Sequence, residues 1–171
     1  HRVDRRQRQM CIRDSTNTIQ SLDLLGRKVL GDGGAKLRAF GTLITGFVEA
    51  HGTDEDMAEF VNPLAELGDK FTKFSMELGM KGMGNADEVG AAAVDYLRVA
   101  GHLVMSYFWA KMAKVAMDRV KADGDAVDPF YKAKLATARF YFAKLQPETA
   151  AAMRSARAGS KVLMDLEPEL F

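Results

Sequence analysis

Cysteine is almost missing from this sequence: Cys11 is the only one among 171 residues. One thiol excludes a disulfide framework and a Cys-based zinc site. Histidine is nearly as scarce, and His1, His51 and His102 stand apart with no Glu-x-x-His pair, so a di-iron bundle site is excluded too. No Gly-x-Ser-x-Gly elbow, P-loop or dinucleotide glycine fingerprint occurs. Gly31-Asp32-Gly33-Gly34 lacks the Lys-Ser/Thr ending of a phosphate cradle and reads as a hinge. No long apolar run is present either. The longest, Val99 to Ala110, contains His102, lies between Arg98 and Lys111, and is far shorter than the roughly 20 residues a bilayer span needs. We expect a soluble chain with no metal site, and the cysteine usage fits a reducing cytoplasm.

An excess of one charge is also lacking, since the formal net charge is +1, but the distribution is uneven. Residues 1–15 hold five arginines against two aspartates, a net +3, leaving 19 basic against 21 acidic residues elsewhere, a net −2. A basic arm of this kind can bind nucleic acid or anionic lipid. The stretch Arg5 to Ser15 resembles something else, the in-frame translation of a transposase-type sequencing adapter. Met10-Cys11-Ile12-Arg13-Asp14 can be written ATG-TGT-ATA-AGA-GAC, like the transposon end used in library preparation. We therefore treat residues 1–15 as an artefact without structure, set them aside from fold reasoning, and expect no nucleic-acid partner.

What is plentiful is helix-forming residues and apolar positions at helical spacing. Ile19, Leu22, Leu25 and Val29 predict a helix from Thr16 to Leu30, ended by Gly31 to Gly34. Leu37, Phe40, Ile44, Phe47 and Val48 predict a second from Ala35 to Ala50. Thr53 is the expected N-cap of a third, with Asp54, Glu55 and Asp56 in the first turn. Its apolar series runs from Met57 to Leu78 across Pro63, as one kinked helix or two abutting ones. Gly79 to Gly84 reads as a mobile connection. Asn85 and Glu88 read as a capping box, opening a helix of about 36 residues and ~54 Å that reaches Lys121. One stripe on it holds Val94, Leu97, Gly101, Val104, Phe108, Met112 and Val115, and a second holds Val89, Tyr96, Leu103 and Tyr107, so both sides should be packed. Asp128 with Pro129 starts the next helix, with the stripe Tyr131, Leu135, Ala138, Phe142 and Leu145. Gln146-Pro147 begins another that stops at Gly159. No strand, repeat or low-complexity block is visible. The expected fold is all-α, an antiparallel helical bundle with one long central helix.

Few side chains carry chemistry by themselves. His102 reads as a buried, hydrogen-bonded core histidine. Tyr107, Phe108 and Trp109 read as core filling, and so do Met76, Met80, Met83, Met105, Met112 and Met117, although methionines also make adaptable partner surfaces. Arg139 and Lys144 read as a solvated face.

Two blocks say more. Thr16-Asn17-Thr18-Ile19-Gln20-Ser21-Leu22-Asp23-Leu24-Leu25-Gly26-Arg27-Lys28 resembles the segment after the catalytic glutamate of acyl-CoA dehydrogenases. There Tyr-Glu-Gly-Thr is followed by Ile-Gln and a Leu-Asp-Leu-x-Gly-Arg-Lys helix typical of long bacterial members. Asp128 to Phe142, with Leu145-Gln-Pro-Glu-Thr after it, resembles the extra C-terminal helical domain of those members, the subgroup that includes 3-methylmercaptopropionyl-CoA dehydrogenase. The resemblance implies a C-terminal fragment of an FAD flavoprotein that removes an α-proton and a β-hydride from an acyl-CoA and passes electrons to an electron-transfer flavoprotein. It implies that residues 16–34 end the dehydrogenase helical domain, residues 35–159 form the extra domain, and residues 160–171 are a tail. Thr16, Asn17 and Thr18 match positions that touch FAD, Thr18 standing where other members often have glutamine. Arg13, Asp14 and Ser15 fall where the family has tyrosine, its glutamate base and a glycine. Asp14 is read as an accidental occupant, so no catalytic residue is expected and the fragment alone should be inactive. A homodimer is implied by the family. The resemblance leaves three roles for the extra domain: a pocket for the CoA end, a cover over the active site, or a dimer contact. The alternative reading is a non-catalytic helical module for oligomerisation or docking.

Overall fold

The computed structural model describes residues 16–167 and 169, so the adapter-like segment, with Arg13, Asp14 and Ser15, lies outside the described residues. Among the described residues there is no strand, and the architecture is the expected all-α bundle around one long helix.

The first helix, α1, is α-helical over residues 16–22 and continues in the wider π-helical register over Asp23–Leu30. It drives Leu25 and Val29 into the core. Its exit is a hydrogen-bonded turn, because Asp32 accepts from the backbone N–H groups of Gly34, Ala35 and Lys36 at 2.9, 3.1 and 3.2 Å. One carboxylate thus satisfies three of the orphan donors at the start of α2, Ala35–His51.

A 3-10 turn, Glu55–Met57, leads into α3, Ala58–Gly84. Asp54, not Thr53, is the cap, and its side chain accepts from the N–H of Asp56. α3 runs without interruption through Pro63 and, against expectation, through the glycines at its C-terminal end. Two of the three, Gly79 and Gly82, are contact sites rather than parts of a mobile link. A Cβ on Gly79 would lie 3.2 Å from Leu30, and one on Gly82 would lie 2.6 Å from Val89. Close packing of α3 on α1 and on the next helix outweighs the poor helix propensity of glycine.

The long helix α4, Asp87–Asp123, lies at the centre and touches α1, α3, α5 and α6. Its start is not a capping box. Asn85 caps by accepting from the N–H of Asp87 at 3.0 Å, while the Glu88 carboxylate reaches across to the N–H and hydroxyl of Ser160 at 2.9 and 2.7 Å. Gly159, at φ +81°, makes room for this clasp between the two ends of the chain's second half, since a Cβ there would meet the Glu88 carboxylate at 3.1 Å.

α5, Pro129–Phe140, starts as expected, with Asp128 accepting from the N–H of Phe130 at 2.9 Å. It then passes into a π-helical turn, Tyr141–Leu145. That turn shifts the helical phase, so the consecutive residues Tyr141 and Phe142 both face inward, Leu145 is rotated out, and Gln146 is turned in to donate to the Pro63 carbonyl at 2.9 Å. Leu145, expected in the core, is therefore exposed. α6, Glu148–Arg157, and the short α7, Lys161–Met164, complete the order.

The core is continuous. Phe60, Leu64, Phe74 and Leu78 of α3, Tyr96 and Val99 of α4, and Leu25 of α1 are sealed from solvent, each large side chain contributing about 1.5–3 kcal/mol of burial. The Tyr96 ring stacks with Phe71 and Phe74, at centroid distances of 4.8 and 5.8 Å. Its hydroxyl pairs with Ser75 at 2.8 Å, and burial pushes the phenol up to about 12.

Candidate functional site

The three residues expected to touch FAD occupy the first described turn of α1. Thr16 is half-buried, while Asn17 and Thr18 are exposed and the neighbouring Ile19 projects into solvent. The Thr18 carbonyl accepts from the buried Ser21 hydroxyl at 2.7 Å, which fixes the turn. The side chains of Asn17 and Thr18 offer polar groups, but one open turn does not enclose a flavin. Among the described residues no cluster of three or more His, Cys, Asp or Glu could hold a metal ion. No helix among them is long and apolar enough to cross a membrane.

The largest departure from the sequence reading is on α4. The stripe of Tyr96, Leu103 and Tyr107 is buried as expected, together with Ala92, Ala93, Val99, Ser106, Ala110, Ala113, Ala116 and Met117. The other stripe is not covered. Val94 is 48%, Phe108 51% and Val115 58% exposed, and Gly101, Val104 and Met112 are open as well, with Leu97 half-buried. The reason is that alanines at helical spacing let the neighbouring helices close tightly on one side only. That alanine pattern was the available signal, and the larger apolar side chains obscured it.

Phe108, Met112 and Val115 also form one wall of a groove of about 350 Å³, with Phe130, Tyr131 and Lys134 of α5 opposite and Lys111 at the rim. The two lysines lean over aromatic rings, Lys111 over Tyr107 at 5.3 Å and Lys134 over Phe130 at 5.1 Å. Phe108 therefore stands on a surface instead of filling the core, while Tyr107 is buried and Trp109 is half-buried. The methionines divide similarly. Met117 is buried, but Met76, Met80, Met83, Met105 and Met112 are exposed, the first three as a ridge on α3.

His102 is half-buried at the border of the two faces of α4. Its Nδ1 lies 3.1 Å from the Tyr141 hydroxyl, which itself donates to the His102 carbonyl at 3.0 Å, so the ring N–H donates to the phenolic oxygen. Ser106 donates to the same carbonyl at 2.7 Å. Both hydroxyls spend their protons on a backbone oxygen and neither is activated as a nucleophile, so the group braces α4 against α5. Burial holds the imidazole below its ordinary value, with Glu148 opposing the shift and Arg98 reinforcing it. Arg139 is not simply solvated, because its guanidinium makes a forked contact with Glu59 of α3 at 2.8–3.0 Å. Arg157 pairs likewise with Glu77 at 2.8 Å, which lowers that carboxyl.

The fold and these surfaces define a class, an all-helical packing domain whose most prominent feature is exposed apolar area on its central helix. The family described as acetyl-CoA dehydrogenase C-terminal like matches residues 37–167, and the chain belongs to that family. The match supports a parent acyl-CoA dehydrogenase, of which this chain is a part. No curated protein sequence matches the chain.

Proposed function

We propose that this chain is the C-terminal part of an FAD-dependent acyl-CoA dehydrogenase that introduces an α,β double bond into an acyl-CoA thioester, and that the chain alone is inactive. The family match over residues 37–167 carries the reading. The block Thr16 to Lys28 supports it, because it resembles the segment after the catalytic glutamate in that superfamily. Residues 16–34 are then the end of the dehydrogenase helical domain, residues 35–159 the added domain, and residues 160–171 a tail. Asp14 remains an accidental occupant of the base position. Thr16, Asn17 and Thr18 do not fit a complete flavin site by themselves, since Asn17 and Thr18 stand exposed on one open turn. We assign them one edge of it, the remainder coming from upstream sequence.

The parent takes an acyl-CoA and an electron-transfer flavoprotein as partners and works as a homodimer. Its cytoplasmic placement rests on residues 16–171 holding no cysteine, and the subgroup of 3-methylmercaptopropionyl-CoA dehydrogenase on the two sequence blocks. A docking or oligomerisation module without chemistry is the second reading, favoured by the uncovered side of α4.

Absorbance of the purified chain and dye reduction with acyl-CoA substrates test the first reading. Colourless protein without acyl-CoA-dependent reduction is expected, and stoichiometric bound FAD would overturn it. Genomic sequence offers a separate check. A reading frame with Tyr-Glu-Gly directly before Thr16 agrees with the proposal, whereas genomic retention of Arg5 to Ser15 contradicts it.

A further inference from the structure

The open side of α4 has the spacing of a helix-pairing seam. Val94, Gly101, Phe108 and Val115 recur every seven residues, with Leu97, Val104 and then Lys111 at the intermediate positions, the lysine stem lying along the groove wall. A 3.5-residue repeat is what keeps an apolar line facing a partner helix that crosses at about 20°. From Val94 to Val115 the seam is ~32 Å long. At its middle, a Cβ added to Gly101 would meet nothing within 4 Å, so the backbone there is open to close approach. Two charges end the line. Asp87 lies seven residues before Val94 and Arg119 lies four after Val115. Both are exposed, and among the described residues neither enters an ion pair.

We propose that this face pairs with the same face of a second copy of the chain, the two α4 helices running antiparallel about a two-fold axis at the level of Leu103. This deepens the homodimer reading above and rests on it. The charges select the direction. The first half of α4 carries Asp87, Glu88 and Asp95 against Arg98, and the second half carries Lys111, Lys114, Arg119 and Lys121 against Asp118 and Asp123. Parallel pairing sets acid on acid and base on base. Antiparallel pairing sets each Asp87 opposite an Arg119 and also opposes the helix dipoles favourably. Fixing that ion pair fixes the register. Val94 then meets Met112 of the other copy beside the groove, Gly101 receives Met105, and Arg98 lies over the Phe108 ring. Each contact occurs twice, as a two-fold interface requires.

Sedimentation equilibrium of the whole 171-residue chain tests the pairing. A dimer is expected. Asp87→Arg and Arg119→Asp should each weaken it by about tenfold, since either change replaces two attractions with two repulsions. The double variant should recover to within about threefold of the original, a rescue that a merely destabilised surface does not give. Phe108→Asp should leave a monomer that unfolds at the midpoint the original chain shows when diluted until it dissociates. In a Cys11→Ser background, Val94→Cys chains should cross-link to Met112→Cys chains. Cross-linking of Val94→Cys to itself would overturn the antiparallel register. A dimer indifferent to both charge changes would overturn the α4 face and leave the homodimer reading standing. A chain that is monomeric at all concentrations would overturn the α4 pairing, while a homodimer of the parent through its other surfaces would stand.

Discussion

The two sides of α4 carry similar apolar content and have opposite environments. One side, lined by Ala92, Tyr96, Val99, Leu103, Ala110 and Ala113, is enclosed by α1, α3, α5 and α6. The other, lined by Val94, Val104, Phe108, Met112 and Val115, has larger side chains and no cover. Small residues mark the packed side because they let helix axes approach, and the volume removed from α4 is filled by Phe60, Phe71 and Phe74 arriving from α3. Large residues on the open side have nothing to fill. Contiguous exposed apolar area of this kind marks a contact surface, so the two sides separate fold from association within one helix.

Truncation should expose that separation most strongly. Leu103→Ala on the packed side should cost about 2–5 kcal/mol through lost burial and a cavity. Phe108→Ala on the open side should stay within about 0.5 kcal/mol in dilute protein. Urea unfolding followed by circular dichroism measures both. Equal losses would mean that the open side is packed in solution.

Enlargement should break the comparison the other way and by less. Ala113→Leu forces extra volume into a closed contact and should cost about 1–3 kcal/mol, whereas Met112→Leu, its neighbour on the open side, should be close to neutral. Thermal melts of the pair are sufficient. If Ala113→Leu is neutral, the alanine face is looser than its burial implies.

How legible all this was in the sequence depends on which physical signal dominated. Helix positions were readable from periodicity and from caps that act within a few residues, such as Asp128 with Pro129. Signals that depend on distant partners were not. Glycines 79 and 82 looked like a link because propensity is local, yet Leu30 and Val89 hold them in a helix. Glu88 had the spacing of a capping box, but Ser160, far along the chain, competes for its carboxylate. The π turn at Tyr141–Leu145 has no sequence signature of its own, and it decided which of Leu145 and Gln146 would be buried. For the candidate site, the block from Thr16 to Lys28 pointed to a family through its pattern alone. The open side of α4 stayed hidden because hydrophobic periodicity reports that a face is apolar, not what covers it.

A smaller effect should come from a single hydroxyl. Tyr96→Phe keeps the ring stack with Phe71 and Phe74 and removes the bond to Ser75, whose own hydroxyl still donates to the Phe71 carbonyl at 2.8 Å. The expected cost is about 1 kcal/mol, because no buried group is stranded. A loss several times larger would show that the hydroxyl also positions α4 against α3.

The smallest effect sits on the boundary between the two sides, at His102. Its folded-state pKa lies below the ordinary value of 6.5, chiefly because burial disfavours the charged ring. An unfolded chain therefore binds the proton more readily than the folded one. The neutral ring's contribution to stability is fully present above about pH 6.5 and is lost as the pH falls through that value towards the folded pKa. Carboxylates such as Glu77 and Glu88, which are held below 4.5, lose their contributions only at lower pH, so the two windows separate. Unfolding free energies of wild type and His102→Gln between about pH 7.5 and 5 should show the wild type falling relative to the variant. A constant difference across that range would mean that the imidazole is solvated in the folded chain, and that the open side of α4 extends further round the helix than Phe108 and Met105 define.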